Sequence, residues 1–175
     1  LDDLQEILVS SFQSANNGIQ EYAVQQGSDM GTTLVACLLY QERMALIANV
    51  GDSRGYLHRG GELHLLTKDH SWVQRMVDQN QLTQEEARHH PHSNILMRTV
   101  GTERNVRIDV FPIEMQSGDI LLLCSDGLWG EVEDVDMRDI LNAFSDLEQS
   151  AKALSDLAKS NGGKDNITHV LVRIP

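Results

Sequence analysis

Residues 33–50 read TLVACLLYQERMALIANV, which is two apolar runs separated by the polar triplet at 41–43. Each run is short and almost uniformly apolar, which is typical of buried strands and not of surface helices. A polar break of three residues between two such runs predicts a turn. This stretch is therefore predicted to form a β-hairpin, and its second strand ends just before the polar sequence Gly51-Asp52-Ser53-Arg54.

The rest of the chain mixes further strands with amphipathic helices. Gly60-Gly61 lies between two short apolar runs and predicts a second tight hairpin. Further strands are predicted at 106–111, 120–124 and 167–174. Apolar residues at helical spacing predict helices at 1–25, 70–78, 83–89, 135–144 and 146–160. Helices and strands are grouped and do not alternate one by one, so the pattern predicts one α+β sandwich domain.

The composition excludes several classes of function. The chain has 26 acidic and 14 basic residues, and its formal charge is −12. This argues against a nucleic-acid partner, because neutralising phosphates requires clustered basic residues. No apolar stretch approaches the roughly 20 residues of a membrane span. Cys37 and Cys124 lie within apolar runs, which predicts buried thiols in a reducing compartment and favours a cytoplasmic protein.

Three aspartates lie at the ends of predicted strands. Asp52 and Asp126 each follow a strand, and Asp165 precedes the last one. Taken singly, each is most often a turn former. If the last strand is antiparallel to the other two, the three carboxylates converge on one rim, where they repel unless a cation neutralises them. Oxygen ligands favour Mg²⁺, Mn²⁺ or Ca²⁺ over zinc, and a pair of such ions activates water against a phosphate ester.

Several basic residues have two readings each. Arg54 and Arg98 have the geometry to bind a phosphate with two hydrogen bonds, but a surface salt bridge is the default for either. His70 either caps the helix that it opens or approaches a bound anion. The sequence His89-His90-Pro91-His92 predicts a solvent-facing helix end and not a zinc site, because Pro91 leaves the three rings without a shared face.

Five motifs occur in the order found in the metal-dependent protein phosphatases of type 2C. They are Met30-Gly31-Thr32-Thr33, Asn49-Val50-Gly51-Asp52-Ser53-Arg54, Lys68-Asp69-His70-Ser71, Ser125-Asp126-Gly127-Leu128 and Lys164-Asp165-Asn166-Ile167-Thr168. Residues 69–101 resemble the flap segment and its flanks in the bacterial serine/threonine phosphatase branch. The resemblance covers essentially the whole chain, 1–175. It implies two antiparallel β-sheets packed as a sandwich and flanked by helix pairs, a four-layer αββα architecture.

The resemblance also implies a reaction and a set of site residues. The reaction is hydrolysis of phosphoserine and phosphothreonine by a metal-activated water, without a covalent enzyme intermediate. Asp126 and Asp165 match ligands of two central Mg²⁺ or Mn²⁺ ions, and Asp52 matches the aspartate of a third, weaker ion. A flap insert at about 71–94 would shape substrate access, and the substrates would be phosphoproteins made by serine/threonine kinases. The substrate and flap positions are Arg54, His70, Ser71 and Arg98.

One departure from the family pattern concerns the first metal motif. The family's Asp-Gly-Met-Gly-Gly motif and an upstream phosphate-binding arginine are not in these residues, and Gly130 stands where some members have an acidic ligand, beside Glu131. Because the chain opens at Leu1 in mid-helix pattern, we expect the larger, C-terminal part of a domain that is incomplete at its N-terminus. Alone, this part is expected to bind the metal pair poorly and to expose strand edges. The alternative function is a catalytically impaired, phosphatase-like regulatory or binding module; the ordered motifs disfavour a generic acidic cation-binding domain.

Overall fold

The structure is a computed structural model that describes residues 1–41 and 43–175, so Glu42 in the first predicted turn lies outside the described residues. The helices are α1 (Asp2–Gln26), α2 (Trp72–Asp78), α3 (Gln84–Arg88), α4 (Asp126–Trp129), α5 (Asp134–Ala143) and α6 (Leu147–Ser160). The strands are β1 (Leu34–Tyr40), β2 (Met44–Val50), β3 (Arg54–Arg59), β4 (Glu62–Leu65), β5 (Asp109–Glu114), β6 (Ile120–Cys124) and β7 (His169–Arg173).

The strands form two antiparallel sheets. One has the order β1-β2-β5, and the other has the order β4-β3-β6-β7. In the first hairpin Leu34 pairs with Val50 and Tyr40 pairs with Met44, as residues 33–50 predict. The second hairpin turns at Gly60 and Gly61, whose φ angles of 59° and 86° lie in the region that favours glycine.

The two sheets face each other across a mainly apolar layer, and helices cover their outer faces. Ile47 and Leu121 meet in the layer between the sheets. On the outer side of the first sheet, Phe12 of α1 packs in one cluster with Leu46. On the outer side of the second sheet, Leu154 of α6 belongs to a cluster that α5 also joins. The result is the predicted four-layer sandwich; within the described residues, a helix pair covers one face and α1 covers the other.

Strand β5 differs from its prediction by three residues. The sequence predicts a strand at 106–111, whereas β5 covers Asp109–Glu114. Val106 and Ile108 are apolar because they pack with α1 against the first sheet and not because they pair within it. Pro112 lies inside β5 opposite Leu46, which is tolerated because β5 is an edge strand and has ladder partners on one side only.

The prediction of buried thiols holds for Cys124 and only in part for Cys37. Cys124 is buried and Cys37 is half-buried, and neither forms a disulfide. Burial raises the pKa of the Cys37 thiol to about 11 and that of Cys124 to about 12, so both thiols stay protonated near neutral pH. Within residues 1–41 and 43–175, no helix is both long and apolar enough to cross a bilayer.

Candidate active site

The strand register brings three connections to one rim of the second sheet. Arg54 at the start of β3 pairs with Cys124 at the end of β6, which pairs with His169 at the start of β7. The connections just beyond these residues carry the three aspartates of the sequence analysis. Asp52, Asp126 and Asp165 line one cleft of about 400 Å³. The expected convergence therefore occurs, and we call this space the aspartate cleft.

Burial and mutual repulsion raise the pKa of two carboxylates in the aspartate cleft. Burial, followed by the charges of Asp126 and Asp69, raises the pKa of Asp52 to about 6. Burial and the neighbouring charge of Asp165 also raise the pKa of Asp126. Among the described residues, no lysine or arginine forms an ion pair with any of the three cleft aspartates. Their mutual repulsion is the electrostatic condition that a bound cation relieves.

The donor set of the cleft fits a hard divalent cation, but only in part. All three aspartates offer oxygen ligands, which suit Mg²⁺ or Mn²⁺. Glu131 also lines the cleft, where Lys164 pairs with its carboxylate at 3.3 Å, while Gly130 offers no ligand. Within the described residues, no three acidic, histidine or cysteine side chains are arranged to hold an ion by themselves. The described residues therefore supply suitable ligands for such an ion, but not a complete set of them.

Gly127 allows two of the cleft aspartates to approach each other. The Gly127 N–H donates to Asp126 Oδ1 at 2.9 Å, and the Asn166 N–H donates to Asp165 Oδ1 at 2.6 Å. A Cβ atom on Gly127 would lie 2.3 Å from the carbonyl oxygen of Asn166. No real side chain tolerates that distance, so glycine is required for the loop of Asp165 to lie against the start of α4.

Arg54 is buried behind the aspartate cleft and does not line it. Its guanidinium donates to both carboxylate oxygens of Asp69, with Nε–Oδ1 at 3.0 Å and Nη2–Oδ2 at 2.8 Å. It also donates to the Tyr56 hydroxyl at 3.1 Å and stacks 3.6 Å from the ring centroid of Trp129. The guanidinium is therefore held by protein groups and is not a surface salt bridge, and it lines a separate pocket of about 660 Å³.

His70, Ser71 and Arg98 line a neighbouring pocket of about 480 Å³. His70 Nδ1 accepts from the Gly51 N–H at 3.0 Å, which leaves Nε2 as the donor to Asp109 at 3.1 Å. Burial is the main reason that the pKa of His70 is lowered. Arg98 donates to Asp109 at 3.0 Å. Ser71 Oγ accepts from the N–H of Gln74, so Ser71 and not His70 caps α2.

The predicted flap segment holds α2 and α3 and is anchored beside the aspartate cleft. Arg88 donates to the carbonyls of Trp129 and Val132, and its Nε lies 3.0 Å from Glu133. Thr83 forms the predicted capping box at the start of α3. The segment reaches the cleft through five lining residues, which are Arg88, His89, His90, Ser93 and Asn94.

The histidine cluster at the end of the flap segment stacks with an aromatic ring. His89 and His92 are exposed, in agreement with the prediction, and His90 is half-buried. The rings of His90 and His92 lie 5.2 Å apart and both contact Trp72. This packing gives the histidines a structural role that does not require zinc.

Trp129 is the site residue that the sequence analysis missed. Its indole N–H donates to the backbone carbonyl of Asp52 at 2.9 Å. The sequence contains one signal that points to it, because an indole three residues after Asp126 in a short apolar segment needs a buried hydrogen-bond acceptor.

The fold and the site together define a class: a four-layer αββα protein with a carboxylate-lined cleft at the ends of its central strands. Comparison with known proteins identifies the family. The sequence profile of the family "Protein phosphatase 2C" matches residues 1–75. A serine/threonine phosphatase, stp, of Listeria welshimeri is 41% identical over 173 residues, which is 98% of this chain and 68% of that protein.

Solved structures agree with this assignment. The serine/threonine phosphatase Stp1 from Staphylococcus aureus superposes with a TM-score of 0.93 at 35% identity, over 98% of this chain and 68% of that one. The catalytic domain of PstP, solved in complex with two manganese ions, matches with a TM-score of 0.83 at 36% identity, over 94% of this chain and 68% of that one. The chain belongs to the protein phosphatase 2C family, as its motifs predict, and the predicted fold class is confirmed.

Proposed function

We propose that the protein is a metal-dependent protein phosphatase that hydrolyses phosphoserine and phosphothreonine. The observation that carries the proposal is the convergence of Asp52, Asp126 and Asp165 in one cleft without a pairing lysine or arginine among the described residues. Such a cleft favours divalent cations, and cations are what a phosphate dianion needs for binding. The kinship with serine/threonine phosphatases supports the same substrate class.

Each cleft aspartate has a proposed part in binding Mg²⁺ or Mn²⁺. Asp126 and Asp165 would hold the two central ions, and Asp52 would serve a third, weaker one. When bound, such ions lower the pKa of water and neutralise charge that develops on the phosphoryl oxygens. The carboxylates are pre-positioned by the backbone N–H bonds to Asp126 and Asp165. Further donors would be needed to complete the set, since the described residues hold only part of it.

The flap segment, at about 71–94, is proposed to govern substrate access. Five of its residues line the aspartate cleft, and one of these, Arg88, also binds the loop after α4. Substrate contact by Arg54, His70, Ser71 and Arg98 stays a prediction. The contacts of Arg54 and His70 favour a different part for these two, which is to hold the loop that carries Asp52.

The partners are proposed to be cytoplasmic phosphoproteins that serine/threonine kinases produce. The two free cysteines, Cys37 in β1 and Cys124 in β6, belong to different sheets, and the absence of a disulfide between them supports a reducing compartment. The acidic charge of −12 disfavours a nucleic-acid partner.

The proposal is tested by Mn²⁺-dependent hydrolysis of a phosphothreonine peptide by the protein at its native length. We expect Asp126→Ala and Asp165→Ala each to lower kcat/KM by at least about 100-fold, because each removes a metal ligand. Asp156→Asn is the matched control, since this carboxylate pairs with Lys152 on the surface of α6. Unchanged activity in both alanine variants would overturn the metal mechanism.

The incomplete ligand set favours a second candidate, a phosphatase-like regulatory or binding module. This candidate predicts that the native-length protein binds Mn²⁺ or a phosphopeptide without turning the peptide over. A single-turnover assay at saturating Mn²⁺ separates the two functions, because phosphate release in that assay is seen only with the enzyme.

A further inference from the structure

We propose that Trp129 is a positioning residue that fixes the Asp52 backbone relative to Asp126, and thereby sets the spacing of two metal carboxylates. The inference rests on the proposed function, because it takes both aspartates as ligands of cations. It adds to that function a residue that binds neither metal nor substrate but determines how well the cleft binds metal.

The central contact joins two parts of the chain that are 77 residues apart in sequence. Trp129 Nε1 donates to the carbonyl oxygen of Asp52 at 2.9 Å, in a buried setting. Trp129 is 8% exposed and Asp52 is 7% exposed, so water does not compete readily for this hydrogen bond. Trp129 also ends α4, the single helical turn that Asp126 begins. One short rigid element therefore presents one aspartate and holds the backbone of the other.

Asp52 depends on this contact because its own side chain is not anchored. Among the described residues, no side chain or backbone N–H of another residue hydrogen-bonds to the Asp52 carboxylate. The position of the Asp52 carboxylate is therefore determined by the backbone at 51–53. Gly51 has a φ of 110°, and its N–H is held by His70 on the far side of the loop. On the side of the cleft, the hydrogen bond from Trp129 restrains the backbone of the same loop at Asp52.

Both the ring and the backbone of Trp129 are held in place. The Arg54 guanidinium stacks 3.6 Å from the ring centroid and is locked by its two hydrogen bonds to Asp69. This cation–π contact fixes the plane of the ring. From the flap segment, Arg88 donates to the backbone carbonyl of Trp129, which restrains the main chain of this residue. Because Trp129 is restrained in this way, it can hold the Asp52 backbone at a fixed position, which is what orienting a metal ligand requires.

The test is Mn²⁺ binding to the native-length protein, measured by calorimetry, with Trp129→Phe as the variant. Phenylalanine keeps a ring beneath Arg54 but removes the N–H donor. We expect Mn²⁺ affinity to fall about 10-fold, as for the loss of a residue that orients a metal ligand. The matched control is Tyr22→Phe, because this change also removes one donor from an aromatic side chain and Tyr22 is 55% exposed on α1. That control is expected to bind Mn²⁺ like the wild type.

A double-mutant cycle with Asp52→Asn separates positioning from general destabilisation. If Trp129 acts through Asp52, the fall in Mn²⁺ affinity caused by Trp129→Phe disappears in the Asp52→Asn background. An undiminished effect in that background, or an unchanged affinity in Trp129→Phe alone, would overturn the inference. Asp126→Ala is included as a reference. If Asp126→Ala binds Mn²⁺ like the wild type, the proposed function is wrong. If Asp126→Ala loses a Mn²⁺ site but Trp129→Phe binds normally, only the positioning role of Trp129 is wrong.

A measurement on the wild type covers the case in which Trp129→Phe does not fold. The chain has two tryptophans, so the indole N–H signals of the metal-free protein can be assigned by Trp72→Phe. The Trp129 indole N–H is expected to exchange with solvent at least about 100-fold more slowly than that of Trp72, because it is buried and bonded. Equal exchange rates would contradict the contact on which the inference depends.

Discussion

Two neighbouring regions at the same strand ends differ in whether their carboxylates form ion pairs. In the aspartate cleft, Asp52, Asp126 and Asp165 lie together and no lysine or arginine of the described chain pairs with them. On the other side of the Asp52 loop lies what we call the arginine network, where each carboxylate is matched by a cation. Its members are Arg54, Asp69, His70, Arg98 and Asp109.

The difference separates residues that hold the fold from residues available for chemistry. A buried ion pair whose hydrogen bonds are satisfied is a structural element, because each charge already has its partner within the protein. A group of like charges without partners costs folding free energy and is retained where a ligand supplies the missing charge. The contrast therefore predicts opposite effects for the same chemical change, aspartate to asparagine, on the two sides of one loop.

The largest effect is expected for Asp69→Asn in the arginine network. The change leaves the Arg54 guanidinium buried with a neutral partner, which typically costs about 3–5 kcal/mol of unfolding free energy. Urea unfolding in the presence of a chelator measures this loss without contributions from bound metal. A loss below about 1 kcal/mol would show that the pair is a surface-type salt bridge after all.

Gly127→Ala is expected to disturb the aspartate cleft while leaving the network intact. The new Cβ would displace the Asn166 carbonyl and with it the loop of Asp165. A displacement of about 1 Å at a reacting centre can lower kcat/KM about 100-fold. The assay is Mn²⁺-dependent peptide hydrolysis, with Gly118→Ala as a control in a turn where the added Cβ meets nothing within 4 Å. Gly118 has a φ of 88°, so alanine is strained there too and can lower stability. The unfolding free energies of both variants are therefore measured first, and their activities are compared at a temperature at which both are folded.

Asp52→Asn is expected to stabilise the metal-free protein, opposite to Asp69→Asn. The Asp52 pKa is raised from its ordinary value of 3.8 to about 6, so the folded state disfavours the ionised carboxylate. Wild-type stability should therefore fall as pH rises from about 4 to above 6, by between about 1 and 3 kcal/mol, and the asparagine variant should lack this decline. Urea unfolding with chelator at pH 4.5 and pH 7.5 tests the sign. A variant that is less stable than the wild type at pH 7.5 would contradict it.

The smallest effect is expected for Asp156→Asn on the outer face of α6. Its carboxylate pairs with Lys152 across one helical turn, and both side chains are more than half exposed. Exposed pairs of this kind contribute little, so neither the unfolding midpoint nor the peptide-hydrolysis rate should change measurably. A clear loss of activity would show that acidic residues matter by overall charge and not by their place in the cleft.

The sequence predicts those elements whose cause is local. The hairpin at 33–50 follows from apolar runs and a polar break, and the Gly60-Gly61 turn follows from the φ angles that only glycine adopts easily. Convergence of the three aspartates also follows from local signals, because the order of strand ends and one antiparallel register are enough to place them on one rim.

The remaining features depend on contacts between distant segments. The apolar residues at 106–108 read as a strand because nothing local distinguishes packing on α1 from packing within a sheet. Arg54 reads as a surface or phosphate-binding residue because its partners are separated from it in sequence, with Asp69 15 residues away and Trp129 75 residues away. The distinction between paired and unpaired aspartates likewise exists only once the chain has folded.

Calorimetric titration of Mn²⁺ into the native-length protein tests most directly whether the unpaired carboxylates are the cation ligands. The wild type is compared with Asp126→Asn from the aspartate cleft and Asp109→Asn from the arginine network. We predict that Asp109→Asn binds Mn²⁺ like the wild type, and that Asp126→Asn loses at least about 100-fold in affinity. Wild-type binding by Asp126→Asn, or an equal loss in Asp109→Asn, would contradict the account.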